Sequence, residues 1–396
     1  MLQDVTVLDL SRVLAGPYCT QLLGDLGARV WKLEPPGGDE TRKWGPPFLA
    51  GESAYYLSVN RNKQGLAVDL KHPRGRELVA GLADRADVLV ENLKTGDLAR
   101  YGLDYESLAV RNPRLIYASI TGYGQNGPRS SEPGYDAALQ AISGLMAMTG
   151  EPGGAPVKLG VAWVDVLAGV HAAAGILAAL HERASTGKGR RLDLALFDVA
   201  LAGMVNQAQS ALITGAAPAR LGSAHPSIVP YQAFATADLE LALAVGNDGQ
   251  FARLCLVLGV AELAEDPRFA GNAERVRNRE QLVPLLAERF ERSKRAEWLE
   301  RLKTAGVPAA PVNTLPEALA DSQVEARGMV GEVEHPLAGA LPMVMSPFGA
   351  AASPSRAAPP MLGQHNREVL AVELGLSVEE LESLEGEGVL VTRHGG

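Results

Sequence analysis

The amino-acid sequence predicts an α/β protein, in which a large N-terminal domain with a mostly parallel sheet precedes a smaller α+β domain. Short apolar runs alternate with helical patterns along residues 1–213, which is typical of a parallel sheet covered by helices on both faces. A shift to Gly, Ala and Pro at residues 214–219 marks a linker. The 396 residues suffice for two domains, and 46% apolar with 21% charged residues is ordinary for a globular enzyme.

The N-terminal segment predicts a βαβ unit. Val5–Leu10 is an apolar strand, Tyr18–Leu26 is a helix, and Arg29–Leu33 is a second strand. The turn between the first strand and the helix, Ser11–Gly16, lacks the GxGxxG fingerprint of dinucleotide-binding sites. The pattern therefore predicts a Rossmann-like layer and gives little support to NAD binding.

Further strands and helices continue this alternation to residue 213. The strands are Leu66–Leu70, Asp87–Glu91, Leu115–Ile120 and Leu192–Leu196, and the helices are Arg74–Ala83, Tyr105–Ala109, Ala137–Met148 and Asp198–Ile213. Ligands of parallel sheets bind at the carboxyl ends of the strands. Those ends carry Arg12 to Ala15, Lys71 and Asn92 to Lys94, and Arg100 follows closely. We therefore expect a small, anionic ligand at this edge of the sheet.

Residues 214–325 are predicted to form the smaller domain, and 326–396 a segment that returns to the large domain. The smaller domain has two paired strands followed by amphipathic helices, namely Tyr231–Ala235, Leu239–Val245, Gly249–Leu258, Arg279–Phe290 and Ala296–Ala305. The return segment is predicted to contain a β-like stretch, a linker rich in Pro and Ala, and two helices, namely Gly328–Phe348, residues 350–360, Asn366–Leu374 and Val378–Leu384.

The chain contains one carboxylate in an otherwise apolar segment. Between Gly160 and Leu180 the only acidic residue is Asp165, and apolar residues recur after it at helical spacing. Asp165 therefore lies at the start of a helix or one turn inside it, where amide donors and the helix dipole favour its ionised form. Two interpretations stay open from the residues alone: Asp165 is an N-cap, or it is a carboxylate nucleophile.

Composition and motif spacing exclude several function classes. A formal charge of −9 argues against a nucleic-acid partner. The seven histidines and two cysteines show no metal-ligand spacing, so neither a metal site nor a disulfide framework is expected. The N-terminus lacks the pattern of a signal peptide, and Leu159–Leu180 reads as a buried core helix rather than a membrane span. We expect a cytoplasmic protein, or a mature mitochondrial-matrix protein if the source is eukaryotic.

Two irregular stretches are candidate ligand loops. The Gly-rich segment Thr121–Pro128 has no GK[ST] after it, which argues against a nucleotide P-loop. The segment Gly222–Gln232 has little regular pattern and contains His225, which makes His225 a candidate for substrate contact.

Short motifs spread along the chain form one recognisable set, namely Val7–Pro17, Leu26–Glu34, Asn60–Lys63, Asp87–Asn92, Ser119–Pro128, Gly134–Asp136, Gly160–Asp165 and Leu362–His365. In this combination and order the chain resembles the family III CoA-transferases, which include formyl-CoA transferase, carnitine CoA-transferase and the acyl-CoA racemases. The resemblance covers essentially the whole chain. It implies a Rossmann-like large domain plus a smaller α+β domain, assembled as an interlocked homodimer in which each ring-shaped chain threads the other.

Three segments look closest to the subgroup that transfers CoA between succinyl-CoA and glutarate or hydroxymethylglutarate, namely Thr41–Pro47, Tyr55–Lys63 and Ala224–Phe234. The resemblance implies a CoA-transferase that takes an acyl-CoA such as succinyl-CoA and a dicarboxylic acid such as glutarate. An acyl-CoA racemase or epimerase, and a CoA-transferase for another carboxylic acid, remain alternatives.

The resemblance identifies Asp165 as the nucleophile, because Asp165 occupies the family's catalytic aspartate position. Its carboxylate would form first a mixed anhydride and then an aspartyl-CoA thioester, and the helix N-terminus would keep it ionised. The positions implied for CoA binding are Arg12, Val13, Ala15, Lys71, Asn92, Leu93, Arg100 and Tyr135. No cofactor is expected to stay bound permanently, since the CoA thioester is itself a substrate.

The resemblance also suggests residues that contact the acids. Leu14 stands where formyl-CoA transferase has a glutamine, which argues against formyl-CoA chemistry. Tyr135 stands where the racemases carry a catalytic histidine, and without that base α-proton exchange is difficult. Arg42, Arg12 and His225 are the candidates for binding the distal carboxylate of a dicarboxylic acid. The family's mobile active-site loop corresponds to Gly222–Tyr231.

Overall fold

A computed structural model describes residues 1–349, 352 and 356–392. The chain forms two compact units. One comprises Met1–Leu145, Lys158–Gly215 and the described part of Ser322–Gly396, and the other comprises Met146–Val157 and Ala216–Asp321. Residues 146–157, which the sequence prediction assigns to the large domain, thus belong to the second unit. Part of the linker predicted at residues 350–360 lies outside the described residues.

A six-stranded sheet is the centre of the first unit, and all its strands are parallel. The strands of this unit before residue 215 are β1 (Thr6–Asp9), β2 (Arg29–Glu34), β3 (Phe48–Leu49), β4 (Glu52–Ser53), β5 (Gln64–Ala67), β6 (Val88–Glu91), β7 (Ile116–Thr121) and β8 (Arg191–Ala195). The order in the sheet is β5-β2-β1-β6-β7-β8, so the strand order reverses between β1 and β6. Clefts form at the carboxyl ends of strands where the order reverses. The predicted α/β class is therefore confirmed.

Helices cover both faces of this sheet. The helices of the chain up to residue 214 are α1 (Ala15–Asp25), α2 (Ala54–Ser58), α3 (Pro73–Ala83), α4 (Tyr105–Arg111), α5 (Asp136–Ile142), α6 (Leu145–Met148), α7 (Trp163–Thr186), α8 (Leu196–Gly203) and α9 (Val205–Thr214), of which α6 belongs mostly to the second unit. One apolar core packs α1, α7 and α8 against the sheet, and a second core lies on the opposite face. The sheet is thus buried on both sides, as its nearly continuous apolar strands require.

Two predicted helices are each divided in the structure. The helix predicted at Ala137–Met148 breaks at Gly144, whose φ is 93°, a conformation that glycine adopts without steric cost. The helix predicted at Asp198–Ile213 breaks between α8 and α9, and Val205 has a φ of 38° there. A β-branched residue in that conformation could not be predicted from hydrophobic periodicity.

The second unit combines a three-stranded antiparallel sheet with helices. Its elements in chain order are β9 (Tyr231–Ala235), β10 (Glu240–Ala244), α10 (Asp248–Leu258), α11 (Glu262–Glu265), α12 (Asn272–Arg277), α13 (Arg279–Phe290), α14 (Arg295–Thr304), β11 (Ala309–Pro311) and α15 (Leu315–Leu319). Phe234, Phe290 and Trp298 stack in its core. The unit therefore has an apolar core of its own.

The C-terminal segment belongs to the first unit. It contains α16 (Ser322–Ala326), the hairpin β12 (Val330–His335) and β13 (Gly339–Val344), then α17 (Asn366–Leu374) and α18 (Val378–Gly386). Val369, Leu370, Leu381 and Leu384 on the last two helices complete the apolar core that also contains α3. The chain thus returns to the unit in which it began.

Helix α7 is long and apolar. Its length of 24 residues and a mean hydropathy of 1.7 over an 18-residue window would suit a membrane span by length and composition alone. However, Ala168, Ala172 and Ile176 on one face pack into the core beside α1. Gly169 permits this close packing, because a Cβ atom there would lie 2.7 Å from the carbonyl oxygen of Ala15. The glycine thus brings the first turns of α7 next to the chain that follows β1.

Candidate active site

A cleft of about 240 Å³ opens in the first unit, where the strand order reverses. The loops after β1 and β6 form one wall, and the N-terminal ends of α5 and α7 contribute to the other. Most of the residues predicted to bind CoA or substrate line it together: Arg12, Val13, Leu14, Ala15, Asn92, Leu93, Tyr135 and Asp165. Residues distant in sequence thus share one cleft.

The turn after β1 has a constrained backbone. Val13 has a φ of 68°, which is unfavourable for a β-branched residue and costs on the order of 1–3 kcal/mol. Asn92 makes two hydrogen bonds to the backbone of Arg12, the residue before Val13. Its Oδ1 accepts from the Arg12 N–H at 2.8 Å, and its Nδ2 donates to the Arg12 carbonyl at 2.6 Å. The Val13 N–H lies 3.3 Å from a carboxylate oxygen of Asp39. These contacts compensate the strain and fix the turn.

Buried charged side chains pack against this turn on the side away from the cleft and bind its backbone. Lys32 donates to the Ser11 carbonyl at 3.0 Å and to Asp39 at 3.1 Å, and both charged side chains are nearly inaccessible. Lys63 is equally buried and donates to Asp9 at 3.1 Å, while burial lowers the pKa of Lys63 to about 8. The network shows that the Asn60–Lys63 motif has a structural role beneath the cleft.

Asp165 is the third residue of α7 and lines the cleft. The N-cap is Ala162, so the interpretation of Asp165 as an N-cap is wrong. The carboxylate of Asp136, on α5, caps the first amides of α7 instead. Its Oδ1 accepts from the N–H of Val164 at 2.8 Å and from the N–H of Asp165 at 3.3 Å. The Asp165 side chain is therefore not engaged in capping its own helix.

The electrostatics of Asp165 differ from the prediction. Burial, and after it the negative charge of Asp136, raise the pKa of Asp165 to about 7. The direction of this shift is opposite to the one expected from the helix N-terminus alone. The first amides of α7 serve Asp136 instead, and desolvation and like-charge repulsion outweigh what remains of the helix dipole. A carboxylate with such a shifted pKa in a cleft is typical of a reactive group.

Tyr135 lines the same cleft as Asp165 and is 61% exposed. The segment before it approaches the end of β7 unusually closely, because a Cβ on Gly134 would lie only 2.2 Å from the Cα of Gly122. Both positions therefore require glycine. The Gly134–Asp136 motif thus packs directly against the residue that follows β7.

The structure contradicts the prediction that Arg42 binds a substrate carboxylate. Arg42 is 4% exposed and its guanidinium is fully engaged inside the protein. It donates to both carboxylate oxygens of Glu34 at 2.7 Å, to Glu52 at 2.7 Å, to the Tyr56 hydroxyl at 2.6 Å and to the Pro360 carbonyl at 3.0 Å. The guanidinium also lies 3.7 Å from the Tyr56 ring centre. Arg42 is therefore a structural ion-pair centre.

Lys71 and Arg100 are exposed, and neither is among the residues that line the cleft. Arg100 lies 3.6 Å from Asp97 and packs over the Tyr101 ring. Arg12 does line the cleft, and its exposed side chain forms an ion pair of 2.6 Å with Glu40. Their predicted roles in CoA binding remain predictions.

His225 belongs to the second unit. Its Nδ1 accepts from the Ser227 N–H at 3.0 Å. Asn272 and Arg279 bind the backbone of residues 225–229, so the predicted active-site loop is anchored within its own unit. The proposed contact of His225 with a substrate remains a prediction.

Sequence reasoning assigned no role to Asp136, Gln140 or Asp39. Asp136 lies in the recognised Gly134–Asp136 motif, and Gln140 follows one helical turn later, so their pairing on α5 could have been expected. No comparable signal marks Asp39, which acts through contacts with Lys32 and Val13 that only the fold creates. Among the described residues no cluster of His, Cys, Asp and Glu could hold a metal ion.

Comparisons with known proteins agree with this geometry. The family model described as CoA-transferase family III matches residues 2–366. A succinate–glutarate CoA-transferase from Agrobacterium fabrum is 45% identical over 393 residues, which cover 97% of this chain and 96% of that protein. A human succinyl-CoA:glutarate CoA-transferase is 43% identical over 392 residues, covering 98% of this chain and 90% of that protein.

Solved structures share the fold. A crystal structure of a CAIB/BAIF family protein from Brucella suis has a TM-score of 0.83 and 44% identity, and the match covers 94% of this chain and 98% of that one. The protein Rv3272 from Mycobacterium tuberculosis has a TM-score of 0.81 at 30% identity, with 92% and 97% coverage. The similarity therefore extends over both units of the chain.

Proposed function

Because the chain belongs to CoA-transferase family III, we propose that it transfers CoA from succinyl-CoA to a dicarboxylic acid of the glutarate type, with Asp165 as nucleophile. The full-length similarity to succinyl-CoA:glutarate CoA-transferases supports the choice of acids. The carboxylate of Asp165 in the cleft beside the turn after β1 is the observation that carries the mechanism.

The first half-reaction begins when an oxygen of the ionised Asp165 attacks the thioester carbonyl of succinyl-CoA. The carbon–sulfur bond breaks, CoA leaves as a thiolate, and a mixed aspartyl–succinyl anhydride forms. The thiolate then attacks the aspartyl carbonyl and breaks its bond to the bridging oxygen. Succinate departs with that oxygen, and Asp165 carries CoA as a thioester.

The second half-reaction reverses these steps with the acceptor acid. A glutarate carboxylate attacks the aspartyl thioester, the thiolate leaves, and a new anhydride forms. The thiolate attacks the glutaryl carbonyl, which yields glutaryl-CoA and regenerates Asp165. Each anhydride must survive until the thiolate returns, so water has to be excluded from the cleft, and nearby backbone amides would stabilise the oxyanions.

We assign CoA binding first to the turn after β1 and to Asn92 and Leu93, because these residues line the cleft that contains Asp165. Lys71, Arg100 and Tyr135 are assigned by the family resemblance, and Leu14, Tyr135 and His225 are the candidates for contact with the acids. Of the three residues predicted to bind the distal carboxylate, Arg12 is the one that lines this cleft, and we assign it to a second carboxylate.

Asn92→Leu is expected to raise the KM for succinyl-CoA by about ten- to a hundredfold, because the turn at Arg12 loses both of its amide contacts. The KM for glutarate in the same variant serves as the internal control and should change by less than about threefold. Steady-state kinetics with each substrate varied would check this, and equal changes in both constants would contradict a role in CoA binding.

A substrate panel tests the proposed function directly. The purified protein is incubated with succinyl-CoA and, separately, glutarate, hydroxymethylglutarate, malate, oxalate and butyrate, and the CoA esters are identified by mass spectrometry. We expect glutaryl-CoA to form fastest and butyryl-CoA slowly. Deuterium exchange at the α-carbon of an acyl-CoA without CoA transfer would instead establish the racemase alternative.

The interlocked homodimer is a proposal that rests on the family resemblance, and the cytoplasmic location predicted from the sequence is a separate proposal. Several apolar side chains of α7, α8 and α9 are exposed in the single chain, namely Val170, Leu201, Val205, Leu212 and Ile213. Such a surface favours a protein partner. Sedimentation of the purified chain at twice the monomer mass would support the dimer, and a monomeric mass would refute it.

A further inference from the structure

Three donors from two segments bind the carboxylate of Asp136. Besides the amides of Val164 and Asp165 on its Oδ1, its Oδ2 accepts from Nε2 of Gln140 at 2.6 Å. Asp136 is 9% exposed and Gln140 is fully buried. This arrangement links α5 to the first turn of α7, the helix that carries Asp165.

Gln140 makes a second connection to the same region. Its Oε1 accepts from the N–H of Leu159 at 2.9 Å, in the segment that leads into α7. Both functional ends of the Gln140 amide are therefore used, and its orientation is fixed by donors and acceptors on either side. Asp136 and Gln140 thus hold both the segment before α7 and its first amides.

We propose that Asp136 and Gln140 are positioning residues of the transfer reaction, which hold the first turn of α7 so that the Asp165 side chain stays free in the cleft. The inference rests on the proposed function of Asp165. An acid at the third position of a helix commonly reaches back to cap that helix. Here the Asp136 carboxylate already accepts from the first amides of α7. The Asp165 carboxylate is therefore not drawn into a hydrogen bond with the backbone of its own helix.

The arrangement has an electrostatic consequence. The titratable groups that face Asp165 are Asp136 on α5 and Tyr55 on α2, while Arg12, Glu40, Lys94 and Glu132 line the same cleft. Burial, and then the charges of Asp165 and Asp136, raise the pKa of Tyr55 to about 12, so its hydroxyl stays protonated. Asp136 is therefore the group whose charge opposes ionisation of Asp165.

The Asp136→Ala variant tests the positioning role, because it removes the carboxylate that accepts from the first amides of α7. The kcat for succinyl-CoA and glutarate is expected to fall about a hundredfold, because the nucleophile shifts relative to the thioester. The KM for succinyl-CoA should change by less than about threefold, since the CoA-binding turn is untouched. Asp198→Ala is the matched control: it removes an exposed acid from the first turn of the neighbouring helix α8 and should leave both constants unchanged.

Asp136→Asn separates position from charge. The amide keeps the oxygen that accepts from Val164 and Asp165 and loses only the acceptor for Gln140, so kcat at high pH should exceed that of Asp136→Ala by about tenfold or more. Because the reactive form of Asp165 is ionised, wild-type kcat/KM should rise with pH through an inflection near the Asp165 pKa of about 7. Loss of the neighbouring negative charge lowers that pKa, so the inflection should move to lower pH in Asp136→Asn.

The outcomes are distinct. The inference would be overturned if Asp136→Ala were as active as Asp198→Ala, or if the inflection of Asp136→Asn stayed at the wild-type pH. In either case CoA transfer by the wild-type protein would leave the proposed function intact. A wild-type protein that transfers no CoA would overturn both. If Asp136→Ala does not fold, as judged by circular dichroism, the pH profile of Asp136→Asn decides alone.

Discussion

Replacement of Asp165 by alanine is expected to lower CoA transfer between succinyl-CoA and glutarate by about 10⁴-fold or more. The expected loss is large because the side chain is the acyl acceptor itself, and no other carboxylate in the cleft lining can take its place. Glu40 and Glu132 also line the cleft, but Glu40 is paired with Arg12 and Glu132 with Arg129. Kinetics with both substrates at saturation would measure the loss, and Asp198→Ala is the matched control.

Isotope transfer tests the same step independently of mutagenesis. With glutarate that carries a heavy oxygen isotope in its carboxylates, the bridging oxygen of the second anhydride should remain on Asp165. The peptide containing Asp165 should therefore gain one heavy oxygen atom after turnover, which mass spectrometry of a digest detects. Direct attack of glutarate on succinyl-CoA would label succinate without labelling Asp165. An unlabelled peptide after many turnovers would contradict covalent catalysis by Asp165.

The parallel sheet could be predicted from the sequence because each of its strands is a short apolar run next to a helical pattern. That alternation also predicts that the carboxyl ends of β1 and β6 lie at the same edge of the sheet. The grouping of Arg12 to Ala15 with Asn92 could be predicted for the same reason. Hydrophobic periodicity carries no information on backbone conformations with positive φ. Val13 and Val205 adopt such conformations although β-branched residues disfavour them.

The electrostatics of the site could not be predicted in the same way. The raised pKa of Asp165 depends first on burial and then on the charge of Asp136, a residue on another helix, and the packing of the fold sets both. Local reasoning about a helix N-terminus therefore gave the wrong sign for the shift. Arg42 illustrates the same limit, since the Pro360 carbonyl that it binds lies more than 300 residues away in the chain.

Arg42→Met is expected to lower the free energy of unfolding by about 3–5 kcal/mol, because it leaves the carboxylates of Glu34 and Glu52 buried without their cation. Methionine has a similar length, so most of the packing against Tyr56 is kept and the lost charge dominates the effect. Arg111→Met is the matched control: it breaks the exposed ion pair with Asp84 and should cost less than about 1 kcal/mol. Denaturant unfolding of the three proteins would measure both values.

The same variant decides between the structural role of Arg42 and its earlier assignment to substrate binding. If the role of Arg42 is structural, the Arg42→Met protein should be destabilised. Its folded fraction should then keep the wild-type ratio of the KM for glutarate to the KM for a monocarboxylate such as butyrate. A substrate-binding Arg42 predicts normal stability with a KM for glutarate raised far more than that for butyrate. Because each nitrogen of its guanidinium donates to a buried oxygen atom and Arg42 is only 4% exposed, a substrate carboxylate could reach it only if that core opened, and we expect the first result.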